Sequence, residues 1–373
     1  MQILEITFFV FLIILVYGHF IYPLMVFFLS VFIKKPVQKK EWFPQVTLVI
    51  PFYNEAGLIE AKLENVKNIE YPEDKLQILF VSDGSPEEVI GLLERERDKR
   101  IELVKLPDHQ GKATALNEAL REAKGEVIVF SDISGLMNPR AIKYIVESFY
   151  DGQVGAVLGL YRQSKKEGDL LYQSEEKYWD FEVDLKKRES FIWSTIGAHG
   201  ALYAIRKALF EPLKKNIIND DFIIPARIAL KGFRVVYEER SILVDFISTG
   251  IAQELKRRIR LAYGNWQQMF LLGKDFLKRP GFLLWQFISH KVIRTVQGVL
   301  IGYMILWSVL ARGVVYDVFL ALVGLLIVGG LLGLLAERWK WLKFLNIFTF
   351  FLLVVWGQIV GSFYFFLKKE ISW

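Results

Sequence analysis

The sequence predicts an α/β domain joined to membrane-spanning helices, and three observations support this fold class. Short apolar runs alternate with polar helical patterns in the middle of the chain, as they do in a largely parallel sheet. Long apolar runs lie before and after that region. Hydrophobic residues make up 53% of the 373 residues and charged residues 24%, so a soluble domain combined with bilayer spans fits both values.

The composition excludes several classes of protein. The chain has no cysteine, which excludes a disulfide scaffold, a zinc–cysteine site and a cysteine nucleophile. Its hydrophobic content excludes an intrinsically disordered chain. The formal charge of +6 is typical of lysines and arginines beside membrane spans, and we prefer this interpretation to nucleic-acid binding. We therefore expect no nucleic acid among the partners.

Four apolar runs are candidates for membrane spans. Residues 6–32 contain no acidic or basic residue and can cross a hydrocarbon core of about 30 Å. No positive charge precedes them, which argues against a signal peptide. Three further runs close the chain, at residues 292–309, 318–335 and 344–367. We therefore predict an N-terminal transmembrane helix within residues 1–33 and three C-terminal transmembrane helices within residues 291–373.

Charged flanks predict the orientation of a multi-pass protein of the cell membrane. Lys34 and Lys35 follow the first span, and residues 337–343 form a basic, aromatic link between the last two spans. The positive-inside rule places both on the cytoplasmic side. Lys368 and Lys369 would then lie outside, which the rule disfavours, and a partly buried last helix would also explain them.

The middle of the chain is predicted to be a cytoplasmic domain at residues 44–250, followed by interfacial helices at residues 251–290. Strands are expected at residues 46–50, 76–81, 101–106 and 126–130, and helices at residues 58–66 and 112–122. Ligands of such sheets bind beyond the carboxyl ends of the strands. Polar motifs at these strand ends are therefore the candidate site.

Seven motifs follow one another along this region. They are VIPFYNE (49–55), VSDGS (81–85), GKATALN (111–117), FSDIS (130–134), GAHGALYAIR (197–206), NDD (219–221) and RRIR (257–260). In this order and spacing they resemble the family 2 glycosyltransferases. With one N-terminal span and several C-terminal spans, the chain is similar to the membrane-bound branch that includes cellulose, chitin and hyaluronan synthases.

The resemblance implies a nucleotide-diphosphate-sugar-binding domain of the GT-A type. It also implies a hexosyltransferase-type enzyme that moves a sugar, with inversion, from a nucleotide-sugar donor to a hydroxyl. We expect a UDP-linked donor and a polysaccharide or lipid-linked acceptor at the bilayer. The alternatives are non-processive transfer to a polyprenyl or other lipid acceptor only, and a non-catalytic membrane scaffold with the same fold.

Four residues near the strand ends are expected to bind the donor. Pro51 and Glu55 follow the first strand, although Glu55 is as well explained as a carboxylate at a helix N-terminus. Asp83 can accept hydrogen bonds from a uracil or a ribose, or can simply form an Asp-Gly turn. Lys112 starts a helix, where an ammonium and free N–H groups can bind phosphate.

Asp132 is the candidate metal ligand. It occupies the first position of the family's Asp-x-Asp motif, which implies Mg²⁺ or Mn²⁺ bridging the donor's phosphates. The second acid of that motif is replaced by Ser134. Asp132 is therefore expected to be the protein's only metal ligand, and phosphate and water complete the coordination. A polar turn at the strand end is the alternative interpretation.

Asp220 and Asp221 are the candidate catalytic residues. They stand where the family has Thr-Glu-Asp, which implies that the last acid, Asp221, is the general base. Such a base takes the proton from the acceptor hydroxyl and contributes about 10²- to 10⁴-fold. Aspartate also caps helices, so one acid of the pair can be an N-cap residue.

Arg260 matches the arginine of the Gln-x-x-Arg-Trp motif of the polymerising synthases and is expected to contact the diphosphate. Arg257 replaces the glutamine and Leu261 the tryptophan, which in the synthases stacks on the acceptor sugar. Its replacement favours a short or lipid-linked acceptor, whereas the number of C-terminal spans and the match at Arg260 favour a growing polysaccharide. His199 is a candidate for the acceptor pocket. Residues 178–182 resemble an aromatic, acidic stretch near the acceptor in these enzymes, but we prefer to interpret them as an amphipathic interfacial helix.

Overall fold

The computed structural model describes residues 2–164, 172–198, 200–245, 250–311, 313–337 and 344–369. Its strands form one sheet in the order β3-β2-β1-β4-β7-β6-β8-β5. These strands are β1 (Val46–Phe52), β2 (Leu76–Asp83), β3 (Ile101–Leu106), β4 (Val127–Ser131), β5 (Gly135–Met137), β6 (Val154–Gln163), β7 (Leu202–Arg206) and β8 (Arg234–Asp245).

Helices connect and flank these strands. In the middle of the chain they are α3 (Ala56–Lys67), α4 (Glu87–Glu94), α5 (Lys112–Glu122), α6 (Ala141–Glu147), α7 (Tyr172–Ile192), α8 (Asp220–Leu230) and α9 (Ile251–Leu277). At the two ends they are α1 (Gln2–Val16), α2 (Tyr22–Phe32), α10 (Phe282–Gln286), α11 (Ile293–Leu310), α12 (Val314–Gly333) and α13 (Asn346–Phe366).

The predicted α/β fold is confirmed, but the sheet is mixed. Strands β1, β2, β3 and β4 pair in parallel, as the alternation of strands and helices predicts. Strand β7 runs antiparallel to both β4 and β6, and β5 runs antiparallel to β8. The direction of a strand depends on the path of the connection before it, and an apolar run in the sequence does not encode that path.

The central strands are buried on both faces, which explains their continuous apolar sequences. Every residue of β1 and β2 is buried. Alternate residues of β1 point to opposite faces: Leu48 and Ile50 pack toward α3 and α6, whereas Val49 packs toward α5 and α8. The sheet is therefore covered by helices on both faces, and its carboxyl edge remains available for a site.

Among the described residues, four helical segments are long and apolar enough to cross a membrane. They are Glu5–Phe32, Phe282–Leu310, Val314–Gly333 and Asn346–Phe366. The second begins earlier than the predicted 292–309, because α10, a π-helical turn at Phe287–Val292 and α11 form one continuous helix. Polar residues in that turn interrupt the apolar pattern of the sequence. His290 is nevertheless buried there against Glu182 and Glu189, so the helix continues through the turn.

Helices α7 and α9 join the sheet domain to the membrane-spanning helices. Tyr22 and Val26 of α2 pack against Leu185 of α7. Helix α9 packs on α8 and on α13. Trp266 of α9 is buried and donates a hydrogen bond to Ser362 of α13 over 2.7 Å, so it faces away from the sheet.

Candidate active site

One cavity of about 450 Å³ lies at the carboxyl edge of the parallel strands, between the sheet, α7, α8 and α9. The structure brings together there seven of the eight residues predicted for the site, namely Pro51, Glu55, Lys112, Asp132, Asp220, Asp221 and Arg260. Ser134 and Leu261 also line it. The chemical role of each residue stays a prediction, but their convergence from six separate elements places them within reach of one ligand.

Lys112 is an electrostatic centre of the cavity. Its Nζ lies 2.9 Å from Asp132 Oδ1 and 3.5 Å from Asp220 Oδ1, and its side chain is only 11% exposed. Burial alone would lower the pKa of Lys112, but the carboxylates of Asp132 and Asp220 raise it above its ordinary value. A permanent positive charge therefore stands between the two acids.

Asp83 lies behind this centre and does not line the cavity. It is buried, and its carboxylate accepts hydrogen bonds from the backbone N–H groups of Gln110 and Gly111, both over 2.8 Å. Gly111 has a φ of 92°, which glycine adopts without strain, and it is the N-cap of α5. Asp83 thus fixes the turn that leads into Lys112, and its donor-binding role stays a prediction.

Glu55 is the N-cap of α3 and is half-buried at the cavity wall. Its Oε2 accepts a hydrogen bond from the backbone N–H of Tyr53 over 2.9 Å. Burial raises the pKa of Glu55, and the neighbouring Asp132 adds to this effect. This contact fits the helix-terminus interpretation of Glu55, while its place in the cavity fits the donor interpretation.

Asp220 and Asp221 are the first two residues of α8 and differ in their surroundings. Asp220 is buried, close to Lys112, and its Oδ2 accepts a hydrogen bond from the Tyr203 hydroxyl over 3.3 Å. Asp221 is half-buried at the cavity surface. Burial raises the pKa of both carboxyl groups, and the positive charge of Lys112 opposes this rise in each.

The N-cap of α8 is Asn219, not an aspartate. The Asn219 side chain does not cap the helix but donates hydrogen bonds to α9, to Asn265 Oδ1 over 3.1 Å and to the Leu261 carbonyl over 3.5 Å. The two aspartates therefore lie inside the first turn of the helix, and Asn219 ties that turn to the helix that carries Arg260.

Arg260 is the cation of α9 that faces the cavity. Its Nε is buried and has no hydrogen-bond partner among the described residues. Burial lowers the pKa of Arg260, and the nearby charge of Arg257 lowers it further. Arg257 and Arg258 both bind Glu254, with Arg257 Nε 2.7 Å from Glu254 Oε2. Arg260 is thus the member of this cluster whose charge is left for a ligand.

The residues that line the cavity show whether a divalent metal ion could bind there. Among the described residues, no group of three or more His, Cys, Asp and Glu could hold a metal ion. Mg²⁺ and Mn²⁺ in nucleotide sites need only one or two carboxylates, since substrate phosphates and water complete the shell. Asp132, whose side chain is 36% exposed, offers such a carboxylate, and Ser134 lies beside it.

The wall opposite the sheet comes from α7 and corrects one interpretation of the sequence. Tyr178, Trp179 and Glu182 line the cavity, which fits the acceptor-site alternative better than the preferred interpretation of this stretch as an interfacial helix. The same helix contributes the buried Lys186. His199, a candidate for the acceptor pocket, lies outside the described residues.

Three functional candidates escaped the analysis of the sequence, and all are lysines. Lys62, Lys186 and Lys291 lie in the middle of helices, where a lysine is usually solvated. The signal that could have found Lys291 is its position at the start of a membrane span, where charged residues often mark a pathway. Nothing in the local sequence distinguishes Lys62 or Lys186 from surface lysines.

Comparison with known proteins agrees with this geometry. The family model "Glycosyl transferase family 2" matches residues 47–213. The chain contains a family 2 glycosyltransferase domain. This domain carries the cavity residues from Pro51 to Asp132, whereas Asp220, Asp221 and Arg260 lie beyond the matched residues.

Curated relatives of the family 2 glycosyltransferase domain include poly-beta-1,6-N-acetyl-D-glucosamine synthases. The protein from Staphylococcus aureus (strain MSSA476) is 24% identical over 268 residues, which cover 70% of this chain and 64% of that protein. The protein from Staphylococcus epidermidis is 24% identical over 236 residues, covering 62% and 56%. The chain thus spans less than two thirds of the length of these relatives.

A solved structure shares the fold over almost the whole chain. It is a mannosyltransferase from Pyrobaculum calidifontis in complex with GDP-Man and Mn²⁺, with a TM-score of 0.70 and 24% sequence identity. The match covers 98% of this chain and 100% of that one. The fold found here, with its sheet domain and its apolar helices, is therefore shared with a known structure.

Proposed function

We propose that the chain is an inverting glycosyltransferase that moves a sugar from a nucleotide-diphosphate donor to a hydroxyl group at the membrane. One observation carries the proposal: the Lys112–Asp132 pair and the half-buried Asp221 face the same cavity. A cation and a metal-type carboxylate suit a departing diphosphate, and a further carboxylate in the same cavity suits a general base. The cavity thus contains groups that suit the departing diphosphate and a group that suits deprotonation of the acceptor hydroxyl.

The donor end of the cavity suits a nucleoside diphosphate. Lys112 and Arg260 supply positive charge for the phosphates. Asp132 would hold Mg²⁺ or Mn²⁺, which supplies charge neutralisation on the leaving diphosphate when it is bound. The sequence favours a UDP-linked donor, whereas the structural relative holds GDP-Man, so both nucleotides belong in any test.

Asp221 is the residue proposed as the base. It takes the proton of the acceptor hydroxyl while that oxygen forms a bond to the anomeric carbon and the bond to the diphosphate breaks. The nucleoside diphosphate leaves, and a single displacement from the opposite face inverts the centre. Asp220, held by Lys112 and Tyr203, is proposed to position this turn of α8.

The acceptor is proposed to be lipid-linked or a polysaccharide, with the lipid-linked class favoured. Leu261 lines the cavity where the polymerising synthases have a tryptophan, so the stacking platform of that motif is replaced. Tyr178 and Trp179 offer aromatic surface on the other wall. The bilayer is proposed as the site of action, with the family 2 domain on the cytoplasmic side.

The proposal is tested with the full chain in proteoliposomes. UDP- and GDP-sugars are screened for release of the nucleoside diphosphate, with and without lipid extracts that contain polyprenyl-linked acceptors. Acceptor-dependent release by the wild type and its loss in Asp221→Asn support the proposal. Donor binding without release under any condition would instead favour a non-catalytic scaffold.

A further inference from the structure

Two lysines line the cavity on the side of the membrane-spanning helices and have no task in the mechanism above. Lys186 comes from α7, which packs on α2. Lys291 comes from the π-helical turn inside the apolar segment Phe282–Leu310. Charged residues at such a position are costly and usually mark the path of a polar substrate.

Both lysines are anchored to the immediate neighbours of Asp221. The Lys186 ammonium donates a hydrogen bond to the carbonyl of Ala198 over 3.1 Å, and the N–H of Ala198 donates to the Asp221 carbonyl over 2.9 Å. The Lys291 ammonium lies 5.0 Å from the centre of the Phe222 ring. An anion held between the two ammonium groups would therefore lie next to the hydroxyl that Asp221 deprotonates.

The charge of these lysines is not neutralised by a direct partner. Within the described part of the chain, neither ammonium forms an ion pair. Three acids act on the two lysines: Glu182, Glu189 and the proposed base Asp221. Glu182 and Glu189 already bind the two ring nitrogens of His290 over 3.1 and 2.7 Å. Glu182 also binds Arg294.

Burial makes two neighbouring lysine charges unfavourable. The side chain of Lys186 is buried, and burial together with the charge of Lys291 lowers the pKa of Lys186 to about 7. A phosphoryl group between the two lysines would supply the missing negative charge and charge-assisted hydrogen bonds.

We propose that Lys186 and Lys291 form an anion subsite that binds a phosphoryl group carried by the acceptor. This inference rests on the proposed function and adds the chemical class of the acceptor: a phosphate or diphosphate ester whose hydroxyl is glycosylated. Because Lys291 belongs to a membrane-spanning segment, the subsite is placed for a phosphoryl group at the bilayer surface. Lys112 and Arg260 remain the partners of the donor diphosphate.

The test is a binding measurement on the full chain in detergent micelles, with the donor site first filled by nucleoside diphosphate and Mn²⁺. The probes are farnesyl diphosphate, farnesol and inorganic pyrophosphate. Farnesyl diphosphate should bind the wild type, and Lys186→Met or Lys291→Met should weaken that binding about 10- to 100-fold, as expected for a lost charged hydrogen bond. Lys186→Arg, which keeps the charge, should bind within a few-fold of the wild type.

Lys187→Met is the matched control, because Lys187 is adjacent on α7 but pairs with Glu239 over 2.7 Å and should not alter probe binding. Nucleoside diphosphate binding by each variant shows that it is folded. If the wild type binds no nucleoside diphosphate, the proposed function is wrong, and the acceptor subsite that rests on it is overturned as well.

The remaining outcomes decide the proposal and the source of the anion. Binding of pyrophosphate as tight as that of farnesyl diphosphate, with the same dependence on the lysines, supports the subsite and assigns it to a soluble phosphate ester. Binding that needs both the isoprenoid chain and the phosphates of farnesyl diphosphate supports the subsite and assigns it to a lipid. Equal binding of farnesol, or unchanged binding in both methionine variants, overturns it.

Discussion

The Lys112 ammonium lies 2.9 Å from the carboxylate of Asp132, although the two residues come from different elements of the sheet edge. Lys112 begins α5, and Asp132 follows β4. This pair places a fixed cation beside the proposed metal ligand, so the donor end of the cavity is organised before any substrate enters. Such preorganisation costs no rearrangement during the reaction.

We predict that Asp221→Asn lowers turnover by about 10²- to 10⁴-fold, because the amide keeps the shape of the side chain but cannot accept the proton. Donor affinity should change by no more than a few-fold. Turnover and donor affinity are measured together with Asp220→Asn. Asp275→Asn, an exposed carboxylate on α9, serves as the control. A large loss in Asp220→Asn alone would move the base to Asp220.

We expect activity to be lost as the pH falls through the pKa of Asp221. A base must be deprotonated, so the rate is present above that pKa and declines below it. Burial raises the pKa of Asp221, so the acid limb of kcat/KM should lie above the ordinary aspartate value of about 3.9. The profile is measured between about pH 4 and pH 8. An acid limb that persists in the residual activity of Asp221→Asn would assign it to another group.

Asp132→Ala should abolish transfer and weaken donor binding, and EDTA should silence the wild type. The physical reason is that this carboxylate is the protein's ligand for the proposed metal at the diphosphate. Nucleoside diphosphate release is measured with Mg²⁺, with Mn²⁺ and with EDTA. Full activity of the wild type in EDTA would refute the metal role.

Lys62→Met should destabilise the fold by about 1–3 kcal/mol and raise the Mn²⁺ concentration needed for activity. The fully buried Lys62 ammonium donates to Ser131 Oγ over 2.7 Å and to the Asp132 carbonyl over 2.9 Å, so it holds the turn that presents Asp132. Unfolding and a Mn²⁺ titration are measured. Lys67→Met, on the same helix in an exposed pair with Glu96, is the control. An unchanged free energy of unfolding and an unchanged Mn²⁺ requirement would show that the turn keeps its structure without Lys62.

Lys34, Lys35 and the basic link at residues 338–343 should be labelled only from the cytoplasmic side. Their clustered positive charge beside apolar segments is the reason. Single cysteines introduced at these positions, in a chain that has none of its own, provide the labelling sites. Labelling of the link from outside intact cells would reverse the proposed arrangement of the last two helices.

The sequence alone determined the α/β class and the four apolar helices. Continuous apolar runs, long spans and polar motifs at strand ends are local patterns, and they also placed Asp132 at the carboxyl edge of the sheet. Lys112, Asp220 and Asp221, which line the same cavity, were indicated by the resemblance of their motifs to a known family. The relatives then supported the family that these motifs had indicated.

The tertiary structure decided what depends on contacts between distant segments. It set the antiparallel direction of β7, the turn of Asp83 toward the start of α5, and the burial of Lys62 and Lys186 inside helices that look solvated. A lysine reveals its role only through the groups that surround it, and those groups come from parts of the chain far away in sequence. For this reason the proposed acceptor subsite at Lys186 and Lys291 could be found only in the folded molecule.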